Sequence, residues 1–191
     1  MTSGLMQGVE YSHFLFEKHL GSGDRVVDAT TGNGHDTLFL AHLVGKQGQV
    51  WGFDIQKKAI EETKKKIKAG GLQDRVQLIH DGHENLAQYV TSPVDGILFN
   101  LGYLPGSRKK VVTNPETTLQ ALKSGLNLLA PDGLVVLVVY TGHEGGKAEN
   151  RALLKYCTTL DENRYNVLYY HFLNQVKSPA RVLAIKHRSQ E

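Results

Sequence analysis

Several features that would assign a protein to an export route or a metal cluster are missing from this sequence. Cys157 is the sole cysteine in 191 residues, so the chain forms no internal disulfide and offers no cysteine cluster for a metal. No apolar run approaches the roughly 20 residues that a membrane-spanning helix needs. The first ten residues lack the basic-then-apolar order of a secretion signal. We therefore expect a cytoplasmic protein.

The sequence also has no strong charge imbalance, no internal repeat and no low-complexity tract. Its net charge is +3, with 40% hydrophobic and 21% charged residues, which is ordinary for a globular protein. A mildly basic composition permits a nucleic-acid partner without requiring one. Because no linker stands out and the length suits one hydrophobic core, we expect a single domain over residues 1–191.

Short apolar runs alternate with helical patterns along the chain, which is typical of βαβ units and a mainly parallel sheet. The connection between the last two predicted strands is too short for a helical crossover, so this pair should be antiparallel. The predicted fold class is α/β, a Rossmann-like seven-stranded, mainly parallel sheet with an antiparallel C-terminal hairpin. The predicted strands cover residues 25–29, 49–54, 75–80, 94–99, 134–140, 165–172 and 181–187, and the helices 11–20, 35–44, 56–69, 84–90, 115–129 and 147–160.

The first predicted strand runs into the turn Asp28-Ala29-Thr30-Thr31-Gly32-Asn33-Gly34, and a helix begins directly after it. Glycines let the backbone approach a ligand, and a helix N-terminus attracts polar or anionic groups. A dinucleotide site would have a third glycine where Thr37 stands, so the pattern fits better the D-x-G-x-G-x-G turn of class I methyltransferases. A tight turn that binds no ligand is the alternative. The residues predicted to contact a cofactor here are Asp28, Thr30, Asn33, Gly34, Asp36 and Thr37.

Acidic residues follow the next two predicted strands. Asp54 ends the second strand, where a carboxylate can accept hydrogen bonds from both ribose hydroxyls of an adenosine. Asp81 follows the third strand and could accept the adenine amino group. Each could instead cap the helix that comes next. Since open α/β sheets bind ligands at the carboxyl ends of their strands, we predict S-adenosylmethionine as the cofactor, with further contacts from Gln56, His83 and Glu84.

The fourth predicted strand leads into Phe99-Asn100-Leu101-Gly102-Tyr103-Leu104-Pro105-Gly106. Amino-group methyltransferases carry an [N/D]-P-P-[Y/F/W] motif at this place, and the chain keeps its first and last positions with Leu-Gly between them. The oxygen of Asn100 can hold an N–H of an amine, while Tyr103 can stack on a base or attract a cationic methyl group. A plain strand-end turn is the alternative. We predict Asn100 and Tyr103 as catalytic residues, and Gly102, Pro105 and Gly106 as substrate-binding residues.

Two further features flank this motif. His143 follows the fifth predicted strand in a glycine-rich loop, where it could accept a proton or orient the substrate, or else cap the next helix. Arg108, Lys109 and Lys110 come just after the Asn100 motif, where a phosphate backbone could dock. The other histidines match no spacing of metal ligands, so we expect no metal.

Five stretches of the sequence together resemble one family. They are V-V-D-A-T-T-G-N-G-H-D-T at 26–37, F-D-I-Q at 53–56, D-G-H-E-N-L at 81–86, F-N-L-G-Y-L-P-G at 99–106 and Y-T-G-H-E-G-G-K at 140–147. They are similar to the MnmM family of small bacterial proteins labelled rRNA methylases, which includes the tRNA 5-(aminomethyl)-2-thiouridine methyltransferase. The resemblance spans nearly the whole chain. It implies methyl transfer to the wobble-uridine aminomethyl nitrogen of tRNA, binding at the anticodon region, and a homodimer as a possible assembly.

Other function classes stay open at this point. A small-molecule or rRNA methyltransferase is the main alternative, although the basic cluster and the lack of an extra lid argue against a small substrate. A non-catalytic RNA-binding or nucleotide-binding protein, or a dehydrogenase using NAD, fits the residues less well. Methylating a pyrimidine carbon commonly needs a cysteine nucleophile, and Cys157 lies in a predicted helix away from Asn100. We therefore expect an amine nitrogen as the methyl acceptor.

Overall fold

A computed structural model describes residues 5–102, 113–175 and 179–189 of the chain. Strands and helices alternate through most of it. The strands are β1 (Arg25–Asp28), β2 (Gln49–Phe53), β3 (Val76–Ile79), β4 (Val94–Leu101), β5 (Leu129–Val139), β6 (Tyr165–Tyr170) and β7 (Arg181–His187). The helices are α1 (Gly8–His19), α2 (His35–Leu43), α3 (Lys57–Ala69), α4 (Leu86–Tyr89), α5 (Pro115–Leu128) and α6 (Gly146–Cys157).

The strands form one mixed sheet in the order β3-β2-β1-β4-β5-β7-β6. Strands β1 to β5 run parallel, and β7 is antiparallel to both of its neighbours, β5 and β6. This confirms the predicted fold class, including the antiparallel C-terminal pair. Because the first five strands are parallel, their carboxyl ends share one edge of the sheet, which collects the polar segments that follow each strand.

Both faces of the sheet are buried, which explains the continuous apolar runs of its strands. Alternate residues of β1 face opposite sides, so Val27 packs into the core beneath α4, α5 and α6, and Val26 into the core beneath α1, α2 and α3. Each helix turns an apolar side toward the sheet; on α3, for example, Ile67 is buried in the core. Within the described ranges, no helix is long and apolar enough to cross a membrane.

Three predicted boundaries of elements were wrong by more than fraying at their ends. A 3-10 turn, His83–Asn85, precedes the short helix α4 where one helix was predicted. Strand β5 begins at Leu129, because Leu129 pairs with Val94 and the chain then bulges through Asp132, whose φ is 63°. Strand β4 continues to Leu101, so Asn100 lies within the strand, paired with Val138 of β5, and not in the loop that follows. The remaining differences are shifts at element ends, where hydrogen bonding frays.

Candidate functional site

The turn between β1 and α2 is tightly packed against α3. Gly34 has φ +80°, and a Cβ placed there would lie 2.6 Å from Oγ1 of Thr63. The hydroxyl of Thr63 donates to the carbonyl of Gly32, and Nζ of Lys66 donates to the carbonyl of Asn33 at 2.7 Å. Only glycine combines this backbone conformation with this close approach. The turn is therefore held in one shape by two side chains of α3.

The N-terminus of α2 opens at the sheet edge directly after this turn. Its N-cap is Gly34, and no described side chain caps the helix there. The first backbone N–H groups of a helix have no acceptor within the helix, and they carry a partial positive charge. This end of α2 can therefore bind a carboxylate or another anionic group of a ligand.

Asp28 lies at the end of β1, fully buried beneath the turn. Its carboxylate accepts hydrogen bonds from Oγ1 of Thr37 at 2.5 Å and from the backbone N–H of Thr30 at 3.1 Å. Burial, together with the nearby charge of Asp36, raises the pKa of Asp28 to about 7. Since Thr37 is also fully buried, this pair shapes the turn from inside the fold.

Asp54, directly after β2, faces the same turn. Its Oδ2 accepts from the backbone N–H of Gly32 at 2.9 Å, and its Oδ1 accepts from that of Gln56 at 2.8 Å. Burial raises the pKa of Asp54, and these two hydrogen bonds partly offset the rise. The neighbouring side chain of Ile55 is 55% exposed, an apolar surface beside a carboxylate. The second lone pairs of both carboxylate oxygens can still accept hydroxyl groups.

Asp81, after β3, is engaged by its own segment. Its Oδ1 accepts from the backbone N–H of Gly82 at 2.7 Å and from Nδ2 of Asn85 at 3.0 Å, and its Oδ2 accepts from the hydroxyl of Tyr89 at 2.8 Å. The bond from Asn85, followed by that from Tyr89, lowers the pKa of Asp81. Both carboxylate oxygens of Asp81 therefore have hydrogen-bond partners within the segment that follows β3.

His83 joins the segment after β3 to the end of β1. Its Nδ1 lies 3.1 Å from the carbonyl of Ala29, and because a carbonyl can only accept, Nδ1 carries the proton. The ring contacts Phe99 edge-on at 5.8 Å between centroids. Burial lowers the pKa of His83, so the imidazole is neutral near pH 7. The side chain of Glu84 lies against Gly82 in the same segment.

Asn100, near the end of β4, bonds to both sides of the turn after β1. Its backbone N–H donates to Oγ1 of Thr30 at 2.6 Å, and its Nδ2 donates to Oδ2 of Asp36 at 2.9 Å. The other oxygen of Asp36 lies 2.7 Å from Nε2 of His13, on α1. Burial favours a raised pKa for Asp36, but the hydrogen bonds from His13 and Asn100 outweigh it and lower the pKa. Asp36 is therefore an ionised carboxylate within the site.

His143 lies close to the end of β4, as the sequence predicted for a strand-end loop. Its Nδ1 lies 2.7 Å from the carbonyl of Glu144, and because a carbonyl can only accept, Nδ1 donates this hydrogen bond. A Cβ at Gly102 would lie 3.8 Å from Nε2 of the same ring. The imidazole of His143 is thus next to Gly102, the residue that follows β4.

A buried carboxylate, Glu149, binds the chain at Thr113, the first described residue after Gly102. Glu149, on α6, accepts from the hydroxyls of Thr113 at 2.9 Å and Thr118 at 2.7 Å, and the backbone N–H of Thr113 donates to the carbonyl of Gly102 at 3.0 Å. Burial raises the pKa of Glu149, and the two threonine hydroxyls partly offset this. The two ends of the segment between Gly102 and Thr113 are therefore joined.

Six of the predicted site residues have no description in the structure. The residues Tyr103, Pro105, Gly106, Arg108, Lys109 and Lys110 lie outside the described residues.

In the part of the chain that is described, no group of three or more histidine, cysteine or acidic side chains could hold a metal ion. Cys157 is buried in α6, and burial raises the pKa of its thiol to about 11.

Four residues of this edge were missed by reasoning from sequence: His13, Ile55, Lys66 and Glu149. His13 and Glu149 act through partners far along the chain, and no local pattern signals such pairing. Lys66 was part of a lysine-rich helix face that looks solvated. Ile55 could have been found, because an isoleucine that directly follows a strand-end aspartate lies outside the buried strand and is expected at the surface beside that carboxylate.

Comparisons with known proteins agree with this architecture. The family model described as "Putative rRNA methylase" matches residues 50–186. The tRNA (mnm(5)s(2)U34)-methyltransferase, chloroplastic, of Arabidopsis thaliana is 36% identical over 97% of this chain and 72% of its own length. A crystal structure from Clostridium thermocellum with the same description as the family superposes with a TM-score of 0.94 and 42% identity, covering 96% of this chain and 98% of that one. A Streptococcus mutans "putative methyltransferase", solved in complex with SAH, superposes with a TM-score of 0.87 and 36% identity, covering 96% and 99%.

Proposed function

The chain belongs to this rRNA methylase family and is an S-adenosylmethionine-dependent methyltransferase, and from that premise we propose that its substrate is the wobble uridine of tRNA. The proposed reaction converts 5-aminomethyl-(2-thio)uridine to 5-methylaminomethyl-(2-thio)uridine, the activity of bacterial MnmM. The name of the Arabidopsis relative supports this choice of nucleoside. The observation that carries the proposal is the position of Asn100 at the carboxyl end of β4, where its backbone N–H donates to Thr30 of the turn after β1 and its side-chain amide lies beside that turn.

We assign the cofactor to the edge formed by the segments after β1, β2 and β3. S-adenosylmethionine supplies a methyl group activated by its sulfonium charge. Asp54 would bind the ribose hydroxyls, and Ile55 would cover one face of the adenine. The uncapped N-terminus of α2 would bind the carboxylate, with Asn33 and Gly34 lining the approach. Gln56, Asp81, His83 and Glu84 would complete the adenine side, while Asp28 and Thr37 maintain the turn.

The transfer itself needs a neutral amine whose lone pair points at the methyl carbon. The carbon–nitrogen bond forms as the carbon–sulfur bond breaks, and the new ammonium then loses a proton. Asn100 would hold one N–H of the amine, and Tyr103 would pack on the base. His143 would take the released proton, or water would. Most of the rate enhancement would come from positioning the amine and excluding water.

The chemistry of the site favours nitrogen over carbon as the acceptor. A pyrimidine carbon commonly has to be activated by a thiolate. Burial and a pKa of about 11 keep Cys157 protonated, and it sits in α6 behind the sheet. We therefore propose an amine nitrogen as the methyl acceptor.

Three further proposals accompany this one. Residues 1–191 form one domain. This domain binds the anticodon region of tRNA, partly through Arg108, Lys109 and Lys110. The protein assembles as a homodimer.

The test is transfer of a labelled methyl group to tRNA taken from a strain that lacks the gene, followed by mass spectrometry of the digested nucleosides. The expected product is 5-methylaminomethyl-2-thiouridine. A methyl group on a ring carbon or a ribose, with the aminomethyl group unchanged, would contradict the proposal. Label that enters a small metabolite or rRNA, and not tRNA, would favour the alternative substrates.

Replacing the proposed amine-binding group provides the matching variant. Asn100→Ala should lower the transfer rate by about 10²-fold, because positioning is lost, while affinity for S-adenosylhomocysteine stays nearly unchanged. Asn166→Ala is the control, since Asn166 is exposed on β6 at the far edge of the sheet. Equal rates for the two variants would remove Asn100 from the mechanism.

A further inference from the structure

We propose that Asp36, held in place by His13, is a positioning residue that fixes the side-chain amide of Asn100 with its oxygen toward the substrate. This inference rests on the proposed function, because it gives the oxygen of Asn100 an amine to bind. It assigns to α1 a part in the chemistry of an edge otherwise built from strand-end loops. It also gives Asp36 a different partner from the cofactor that the sequence suggested.

The orientation follows from what each group can donate and accept. An ionised carboxylate only accepts hydrogen bonds, so the atom of Asn100 that lies 2.9 Å from Asp36 has to be the amide nitrogen. The backbone of Asn100 is fixed separately by its bond to Thr30 at 2.6 Å. With main chain and nitrogen both held, the oxygen is directed to the remaining side. None of the described residues donates to that oxygen.

Asp36 itself is fixed from α1. Nε2 of His13 lies 2.7 Å from its second oxygen, and the imidazole stacks on Phe39 of α2 with centroids 3.9 Å apart and planes 7° from parallel. The carboxylate is mostly buried, so it needs these two donors to stay charged. His13 thereby holds the acceptor that orients Asn100.

An inverted amide would disable the site in a specific way. If a neighbouring group donated to the oxygen of Asn100, that oxygen would no longer be available to an amine. Asp36→Asn permits this inversion with almost no change in volume, because the new amide can donate as well as accept. The variant therefore separates orientation of Asn100 from packing of the turn.

The kinetic test uses the full-length protein, labelled S-adenosylmethionine and the same tRNA. Asp36→Asn should lower kcat by about tenfold or more, while KM for S-adenosylmethionine and Kd for S-adenosylhomocysteine change by about twofold at most. Asp74→Asn, an exposed charge at the opposite edge of the sheet, is the matched control. His13→Ala should lower kcat in the same way, and His13→Gln, which keeps an N–H donor, should retain more activity than His13→Ala.

The decisive comparison is made in a background that has lost the amide. If Asp36 acts through Asn100, Asp36→Asn should cause no further loss of kcat in Asn100→Ala. A full additional loss in that background would overturn the inference. A fall in S-adenosylhomocysteine affinity as large as the fall in kcat would also overturn it, because it would make Asp36 a cofactor ligand.

A measurement without substrate distinguishes this inference from the proposed function. The side-chain NH₂ signals of Asn100, assigned by their loss in Asn100→Ala, should be shifted and slow to exchange in the wild-type protein, and both properties should be lost in Asp36→Asn and weakened in His13→Ala. If the wild-type protein methylates no tRNA but the NH₂ signals of Asn100 show these changes, only the substrate assignment fails. If neither substitution changes the chemical shift or the exchange rate of these signals, the positioning role is refuted.

Discussion

At the scale of single residues, two carboxylates of the β1–α2 segment show how burial and hydrogen bonds together decide charge. Asp28 and Asp36 are both buried, and burial acts on each to raise its pKa. Asp28 keeps a raised pKa because its complete burial, together with the charge of Asp36, outweighs the hydrogen bonds that it accepts from Thr37 and Thr30. Asp36 has a lowered pKa because His13 and Asn100 both donate to it. The site therefore holds one firmly ionised carboxylate next to one that titrates near pH 7.

This contrast predicts a pH dependence of stability. The pKa of Asp28 is raised from 3.8 to about 7, so the folded protein binds this proton more tightly than the unfolded chain does. Its contribution to the free energy of unfolding should therefore fall as pH rises through that window and level off above it. Denaturant unfolding from pH 4 to pH 8 should show a shallower decline in Asp28→Asn than in the wild-type protein. Parallel curves for the two proteins would show that Asp28 is ionised throughout.

Asp54 provides a second prediction at this scale. Asp54→Ala should weaken binding of S-adenosylhomocysteine by about 2–3 kcal/mol, because hydrogen bonds from ribose hydroxyls to a charged group are lost. Calorimetry measures the change, and thermal unfolding checks that the variant is folded, since Asp54 also accepts from Gly32 and Gln56. Asp74→Ala serves as the control. Unchanged affinity in a folded variant would remove Asp54 from the ribose site.

At the scale of elements, the β1–α2 turn and helix α3 form one unit. Thr63 and Lys66 of α3 bond to successive carbonyls of the turn, and Gly34 allows the close contact. A lysine-rich helix thus has one side that supports the β1–α2 turn and another that faces solvent. The shape of the turn depends on α3 as much as on its own glycines.

A pair of glycine substitutions tests this dependence. Gly34→Ala adds both backbone strain at φ +80° and a clash with Thr63, so it should lower the free energy of unfolding by about 2–4 kcal/mol and abolish measurable cofactor binding. Gly71→Ala has φ +65° with nothing within 4 Å of its Cβ, so it should show only the backbone strain, about 1 kcal/mol. Similar losses in the two variants would mean that contact with α3 is unimportant.

At the scale of the whole molecule, the strand order brings distant segments to one edge. Asn100 of β4 bonds to the turn after β1, His83 reaches that same turn from the segment after β3, and His143 approaches Gly102 from the loop after β5. Each of these segments follows a parallel strand. The site is thus a property of the sheet topology, and no one segment contains it.

Binding of a large polyanion is also decided at this scale. Neutralising Arg108, Lys109 and Lys110 together should weaken tRNA binding and flatten its dependence on salt, because fewer counterions are released. A filter-binding titration at several salt concentrations measures both effects, and affinity for S-adenosylhomocysteine should stay the same. Neutralising Lys57, Lys58 and Lys64 of α3 is the matched control. An unchanged salt slope in the first variant would place the tRNA surface elsewhere.

The sequence by itself determined the order of the elements, the parallel sheet with its antiparallel C-terminal pair, and the strand-end position of the acidic residues. These features follow from periodicity and turn chemistry, which are local and can be read along the chain. Boundaries were less certain where local signals conflicted, as at Pro131-Asp132-Gly133, which looks like a turn but lies within a bulged strand.

Only the tertiary structure decided which polar groups meet. Asp36 looked like a cofactor ligand because it stands in the cofactor turn, and its partners proved to be His13 on α1 and Asn100 on β4. Asp81 looked able to reach an adenine, and its oxygens are bound by Gly82, Asn85 and Tyr89. A hydrogen bond depends on distance and direction between groups that are far apart along the chain, and those are set by packing of the helices on the sheet.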